Sequence, residues 1–172
     1  MTLAEEPHRH TWGAALRDAV RPPVLRMLFL GFSAGLPILL IFSTLSVWLR
    51  EAGVDRATVT FFSWAALGYS FKFVWAPLVD RLPLPALTRL LGRRRGWLLL
   101  AQLALAGAML WTASFDPQHA LTLTGIGAVL IGFSAATQDI AIDASRIEAA
   151  EPELQSMMAA TYIAGYRIGM LV

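Results

Sequence analysis

Cysteine is absent from the 172 residues, which excludes a disulfide framework and any Cys-based metal site. Charge is scarce too. Only 15% of the residues are Asp, Glu, Lys or Arg, against roughly a quarter in an ordinary soluble domain. With 56% apolar residues and a mean hydropathy of +0.57, the chain could not cover a water-exposed surface with polar groups. Low-complexity stretches and a strand-like period of two are also missing. The isoelectric point near 9.5 could fit a nucleic-acid binder, but the arginines fall between apolar runs, where membrane orientation explains them better. No nucleic-acid partner is expected.

What is present is a series of long uncharged runs separated by short charged segments. A helix needs about 20 mostly apolar residues to cross the hydrocarbon core. Met27–Trp48 and Gly96–Phe115 contain no charge, Ala57–Leu78 contains Lys72, and Ala120–Ile142 contains Asp139. Gln155–Val172 is apolar apart from Arg167. The reading is an all-α polytopic bundle, with residues 1–26 as a polar N-terminal segment and 27–172 as part of a transmembrane bundle. Its spans fall at about 27–48, 57–78, 96–115, 120–142 and 155–172, the fifth truncated before an exit loop. A span without a flank lacks interfacial anchors, so the sequence reads as the N-terminal portion of a longer protein. The first run is too long for a signal-peptide core and should remain as an anchor in the lipid bilayer.

The loops differ in charge. Arg9, Arg17, Arg21 and Arg26 precede the first span, Arg81, Arg89 and Arg93–Arg95 follow the second, and Arg146 follows the fourth. The alternate side holds only Arg50 and Arg56. The positive-inside rule then puts the N-terminus and the Arg93–Arg95 loop in the cytoplasm. Before the first span, Trp12, Ala15, Leu16, Ala19 and Val20 share one helical face and Arg17, Asp18 and Arg21 the other. That pattern fits a helix lying on the inner membrane surface or a plain cytoplasmic helix. At the fifth span, Pro152 suits the first helical position, and Glu151 and Glu153 complement the positive helix end.

Four features carry chemistry. Asp139 and Asp143 lie four apart on one helical face, which continues inward through the small residues Ala135, Gly132 and Ala128. A carboxylate within a span is costly unless it faces protein or water, so Asp139 is a candidate to bind and release a proton, with Asp143 closer to the interface. The plainer reading is a residue at the membrane edge that caps or pairs. Lys72 lies roughly 10 Å deep and Asp139 roughly 6 Å, so a contact is compatible in depth; snorkelling of Lys72 to the interface is the alternative. Arg167 is placed roughly 20 Å from the cytoplasmic face, where a buried guanidinium would suit an anionic substrate or a structural carboxylate. Tyr162 and Tyr166 occupy neighbouring faces. In the first span, Gly31-x-x-x-Gly35 permits close helix approach and Pro37 loosens the backbone beyond it.

The loop after the second span is the most specific element. Ala76-Pro77-Leu78-Val79-Asp80-Arg81, ten intervening residues, and Gly92-Arg93-Arg94-Arg95 resemble the G-x-x-x-D-R-x-G-R-R loop of the major facilitator superfamily. Ala76 replaces the leading glycine, and Leu82–Leu91 split the motif. That split form resembles the AmpG family of muropeptide permeases, as do Gly31–Trp48, Gln138-Asp139-Ile140-Ala141-Ile142-Asp143-Ala144 and Gly165-Tyr166-Arg167-Ile168-Gly169. The resemblance implies two bundles with twelve or more spans in all, and hence a missing C-terminal half as partner. It implies an inner-membrane importer of anhydro-muropeptides driven by the proton gradient, with no cofactor or metal. On this reading Asp80, Arg81, Gly92, Arg93 and Arg94 form a gating loop. Asp139 and Asp143 couple protons, and Gln138, Tyr166, Arg167 and Gly35 contribute to the substrate path. A carrier of another sugar or acyl conjugate is the nearest alternative. A membrane-embedded aspartyl protease is disfavoured, because its two carboxylates must face each other from different helices. Half a bundle has no counterpart to rock against, so the segment alone is expected to be inactive.

Overall fold

The computed structural model describes residues 12–63, 70–149 and 152–172, and every regular element among them is helical. A short α1 (Trp12–Ala19) occupies the amphipathic stretch before the first span, closed by an Arg21–Asp18 ion pair at 3.0 Å. The side chains of Trp12, Ala15 and Leu16 lie outside the described residues, as do Glu151 and the side chain of Glu153.

The next helix, α2 (Pro22–Leu39), begins five residues before the apolar run does. Arg21 is extended, with φ −63° and ψ 141°, and Pro22-Pro23 fit a first turn that needs no N–H donors. These prolines end one helix and open the next. Pro37 lies inside α2, and the chain then continues through a π-helical turn, Leu40–Thr44, into α3 (Leu45–Glu51). Proline removes a ladder hydrogen bond, and the wider turn beyond it is the kind of interruption that bends membrane helices. Gly53, at φ 79°, makes the tight exit that follows. Asp55 then caps α4 (Arg56–Ser63), accepting from the Thr58 hydroxyl at 2.6 Å and the Thr58 N–H at 3.0 Å.

The second run is described only at its ends, because residues 64–69 lie outside the described residues. It ends in a 3₁₀ turn, Lys72–Val74, and α5 (Ala76–Arg81). The residues that split the loop motif form a helix of their own, α6 (Pro85–Leu91). It is followed by Gly92, whose φ 83° and ψ 162° are open almost only to glycine. The longer helices α7 (Arg93–Ala113), α8 (Leu121–Ala149) and α9 (Pro152–Leu171) complete the bundle. Among the described residues, Pro22–Glu51, Arg93–Ala113 and Leu121–Glu148 are long and apolar enough to cross a membrane. The α9 helix has the length, 20 residues, but not as apolar a continuous stretch as those three.

Two close helix pairs organise the bundle. In the α2–α9 pair, a Cβ on Gly31 would come within 2.1 Å of the Tyr162 carbonyl oxygen, and one on Gly35 within 2.2 Å of that of Tyr166. From the other side, Gly165 meets the Leu28 carbonyl and Gly169 that of Phe32. Two small-xxx-small steps thus face each other, and backbone packs directly on backbone. In the α7–α8 pair, Gly127 sits against Thr112. A packed cluster of Ile41, Leu105, Ala108, Ile131 and Ala135 joins these pairs, and Val24, Met27 and Met158 fill the contact within the α2–α9 pair. Outward-facing Phe29, Leu103, Leu110 and Val129 are exposed, as residues of a bilayer-facing surface are.

Candidate functional site

Asp139, buried on α8, is the centre of a polar cluster drawn from three parts of the chain. The amine of Lys72, the chain's only lysine, donates to its Oδ2, and the Tyr162 hydroxyl of α9 donates to Oδ1 at 2.8 Å. Asp143, one turn further along α8, lies 3.9 Å from the same amine and 3.4 Å from Arg146. The Arg146 guanidinium stands 6.0 Å from the centre of the Tyr162 ring. The 3₁₀ turn carrying Lys72 is held near α8 by Trp75, whose ring lies 4.8 Å from Phe133 and whose N–H reaches the Thr137 hydroxyl at 3.3 Å.

The cluster opens on a cavity of ≈ 510 Å³ lined by Asp139, Asp143, Tyr162, Tyr166 and Arg167. Tyr166 stands beside Tyr162, ring centres 6.2 Å apart, and Arg167 is exposed rather than enclosed by the helices. Gln138 faces elsewhere. It is 1% exposed, its amide donates to the Ser33 hydroxyl of α2 at 3.0 Å, and its Oε1 has no partner among the described residues. Gly35 is buried beneath the Tyr166 backbone. Both residues therefore sit in helix–helix contacts and line no part of this cavity. Among the described residues, no group of three or more His, Asp or Glu side chains is gathered to hold a metal ion.

A second network lies at the arginine-rich end. Arg94 bridges two acids: Nη1 is 2.6 Å from Asp80, while Nη2 and Nε are 2.6 and 2.9 Å from Glu148. Arg93 stands 3.7 Å from Glu148. Helix α6 makes this geometry compatible with the split motif. It folds back on α7 with Leu87 against Gly96, and Trp97 donates to the Leu82 carbonyl at 2.8 Å. The ten inserted residues therefore leave Asp80 and Arg94 in contact. Arg81 is exposed and Gly92 contributes only its backbone turn.

Two participants escaped the sequence reading as site residues. Tyr162 lies one helical turn before Tyr166 and could have been promoted on that spacing. Glu148 was hidden among the polar residues at the end of α8, where an acid carries no distinguishing signal until its partner is known. Chemically, the Asp139 cluster offers a carboxylate held by one cation and one neutral donor beside open space. The Arg94 cluster offers a fixed guanidinium gripped from two sides.

A bundle of apolar helices with a charged cluster inside and an arginine-bridged loop at one end defines a membrane transporter of the major facilitator type. The sequence model of the acetyl-coenzyme A transporter 1 family matches residues 24–132, and the chain belongs to that family of transporters. Among curated relatives, it is 42% identical over 149 residues to the transporter AmpG 4 of Rickettsia conorii, covering 87% of this chain and 36% of that protein. It is 40% identical over 157 residues to the anhydromuropeptide permease of Escherichia coli, covering 91% of this chain and 31% of that one. The chain thus spans about a third of the length of these relatives. It is a multi-pass membrane protein of a transport family rather than an enzyme family.

Proposed function

We propose that this chain is the N-terminal part of an inner-membrane importer of anhydro-muropeptides, coupled to the proton gradient through Asp139, with its N-terminus in the cytoplasm. The observation that carries the reading is the Lys72–Asp139–Tyr162 cluster at the wall of a cavity. Protonation of Asp139 removes the negative charge that holds the Lys72 amine. The amine, still charged, then has Asp143 3.9 Å away as its next acceptor. One proton thereby changes which helix turn of α8 the 3₁₀ segment is tied to, and a bistable contact of this kind can couple proton binding to helix movement. The substrate is a large anion with sugar and peptide parts, for which Arg167 and the hydroxyls of Tyr162 and Tyr166 are suitable wall groups. The Asp80–Arg94–Glu148 bridge serves as the latch of the cytoplasmic gate. The segment alone is inactive, because alternating access needs a second bundle.

Asp139→Asn keeps the side-chain shape and one of the two acceptor oxygens while removing the titration. In vesicles containing the complete protein, gradient-driven accumulation of labelled anhydro-muropeptide is expected to vanish while downhill exchange persists. A parent-like response to an imposed pH gradient would remove Asp139 from coupling. The second reading, a carrier of an acyl conjugate, is favoured by the description of the matching family. Uptake of acetyl-coenzyme A in preference to the muropeptide by the same vesicles would select it.

A further inference from the structure

A second cavity, ≈ 490 Å³, lies where the charged flanks of α2, α7 and α8 meet their apolar spans. Its rim holds Arg26, Arg94, Arg95 and Glu148, and its wall holds Met27, Phe29, Leu30 and Leu98. Arg94 is committed to Asp80 and Glu148, but Arg26 and Arg95 are exposed and form no ion pair among the described residues. Three arginines face one glutamate, so the rim keeps an excess of positive charge. One turn inward, Phe29 is 70% exposed. Cations at the boundary of an apolar run, directly above an apolar groove between helices, match the two halves of an anionic phospholipid: a phosphate at headgroup depth and an acyl chain along the span. We propose that this groove binds an anionic membrane phospholipid, its phosphate between Arg26 and Arg95 and one acyl chain along Phe29, Leu30 and Leu98.

The site is separate from the Asp139 cavity and independent of the substrate reading. It also touches the latch, since Arg94 and Glu148 lie on its rim, so an occupying phosphate would compete with Glu148 for the arginines. The test is native mass spectrometry of the complete protein, purified in detergent and offered phosphatidylglycerol, phosphatidylcholine or inorganic phosphate. Phosphatidylglycerol should be retained over phosphatidylcholine, and Arg26→Gln/Arg95→Gln should lower that retention roughly twenty-five-fold, from about fivefold per arginine. The Arg26→Lys/Arg95→Lys variant should recover most of it. Both pairs are exposed, so folding should be unaffected, and thermal unfolding checks this. Equal retention of the two lipids, or no effect of the Gln pair, would overturn the proposal. So would displacement of the lipid by millimolar inorganic phosphate, which marks a free-anion site, or the absence of any retained lipid, which marks a groove filled by protein.

Discussion

The two charge networks are built from similar parts and behave oppositely. Around Asp139, one acid is shared by a lysine and a phenol; around Arg94, one arginine is shared by two acids. On the proposed coupling, proton binding to Asp139 removes the negative charge that Lys72 and Tyr162 both contact, and that cluster rearranges. Proton binding to one acid of the second network leaves Arg94 charged and still held by the other, because guanidinium does not titrate in any relevant range. Location reinforces the contrast. Asp139 is buried between helices, whereas Asp80 and Glu148 are about half exposed, at 47% and 49%, where salt screens them. One network is suited to respond to protons, the other to hold a loop through a change of pH.

The largest effect is expected from removing the helix contact that delivers Tyr162 to the first network. Gly165→Leu would drive a side chain into the Leu28 carbonyl, which even a bare Cβ would approach to 2.1 Å. We expect a loss of about 3 kcal/mol or more, read as failure to purify a monodisperse protein. The second network, anchored on α5, α7 and α8, should remain intact in any protein recovered, as judged by Arg94→Lys still costing stability in that background. A parent-like yield would mean that the α2–α9 contact is not tight.

Next in size is Lys72→Met, which leaves Asp139 with a single neutral donor. It should destabilise by about 2 kcal/mol, and the double variant Lys72→Met/Asp139→Asn should regain most of that loss. Thermal unfolding of the four proteins of this cycle measures the coupling. Purely additive losses would show that the pair is not energetically linked.

Arg94→Lys tests the other side. A lysine cannot reach two acids with a planar fork, yet the site is partly exposed, so the loss should be only about 1 kcal/mol. It should also shrink with added salt, unlike that of Lys72→Met. Equal salt sensitivity of the two variants would erase the distinction drawn between the networks.

The smallest effect concerns the opposite end of the bundle. The Thr58 hydroxyl, and then its N–H, hold the Asp55 carboxyl below its ordinary value of 3.8. Its folded-state value is depressed, so its contribution to stability is present above about pH 4 and fades as pH falls through the folded value. Asp55→Asn should therefore be slightly less stable than the parent at pH 7, with the gap closing as the pH falls below the ordinary carboxyl value of 3.8. A gap that widens with acid would contradict the cap.

The membrane class, the helical architecture and the charge asymmetry of the loops follow from the order of residues alone, since hydropathy and helical periodicity are local properties. The split motif was also legible, though not that its insertion folds into α6 and leaves the motif closed. Partners were another matter. Whether Lys72 meets Asp139 or snorkels depends on how far α5 and its preceding turn lie from α8. Whether Gln138 faces a cavity or Ser33 depends on the rotation of α8 about its axis. Those distances and rotations are properties of helix pairs, set for α8 by contacts such as Gly127 on Thr112 and Trp75 on Phe133. A single helix does not contain them. A polar residue in a span is read from one helix, but its task is assigned by whichever neighbour the packing brings within hydrogen-bonding reach.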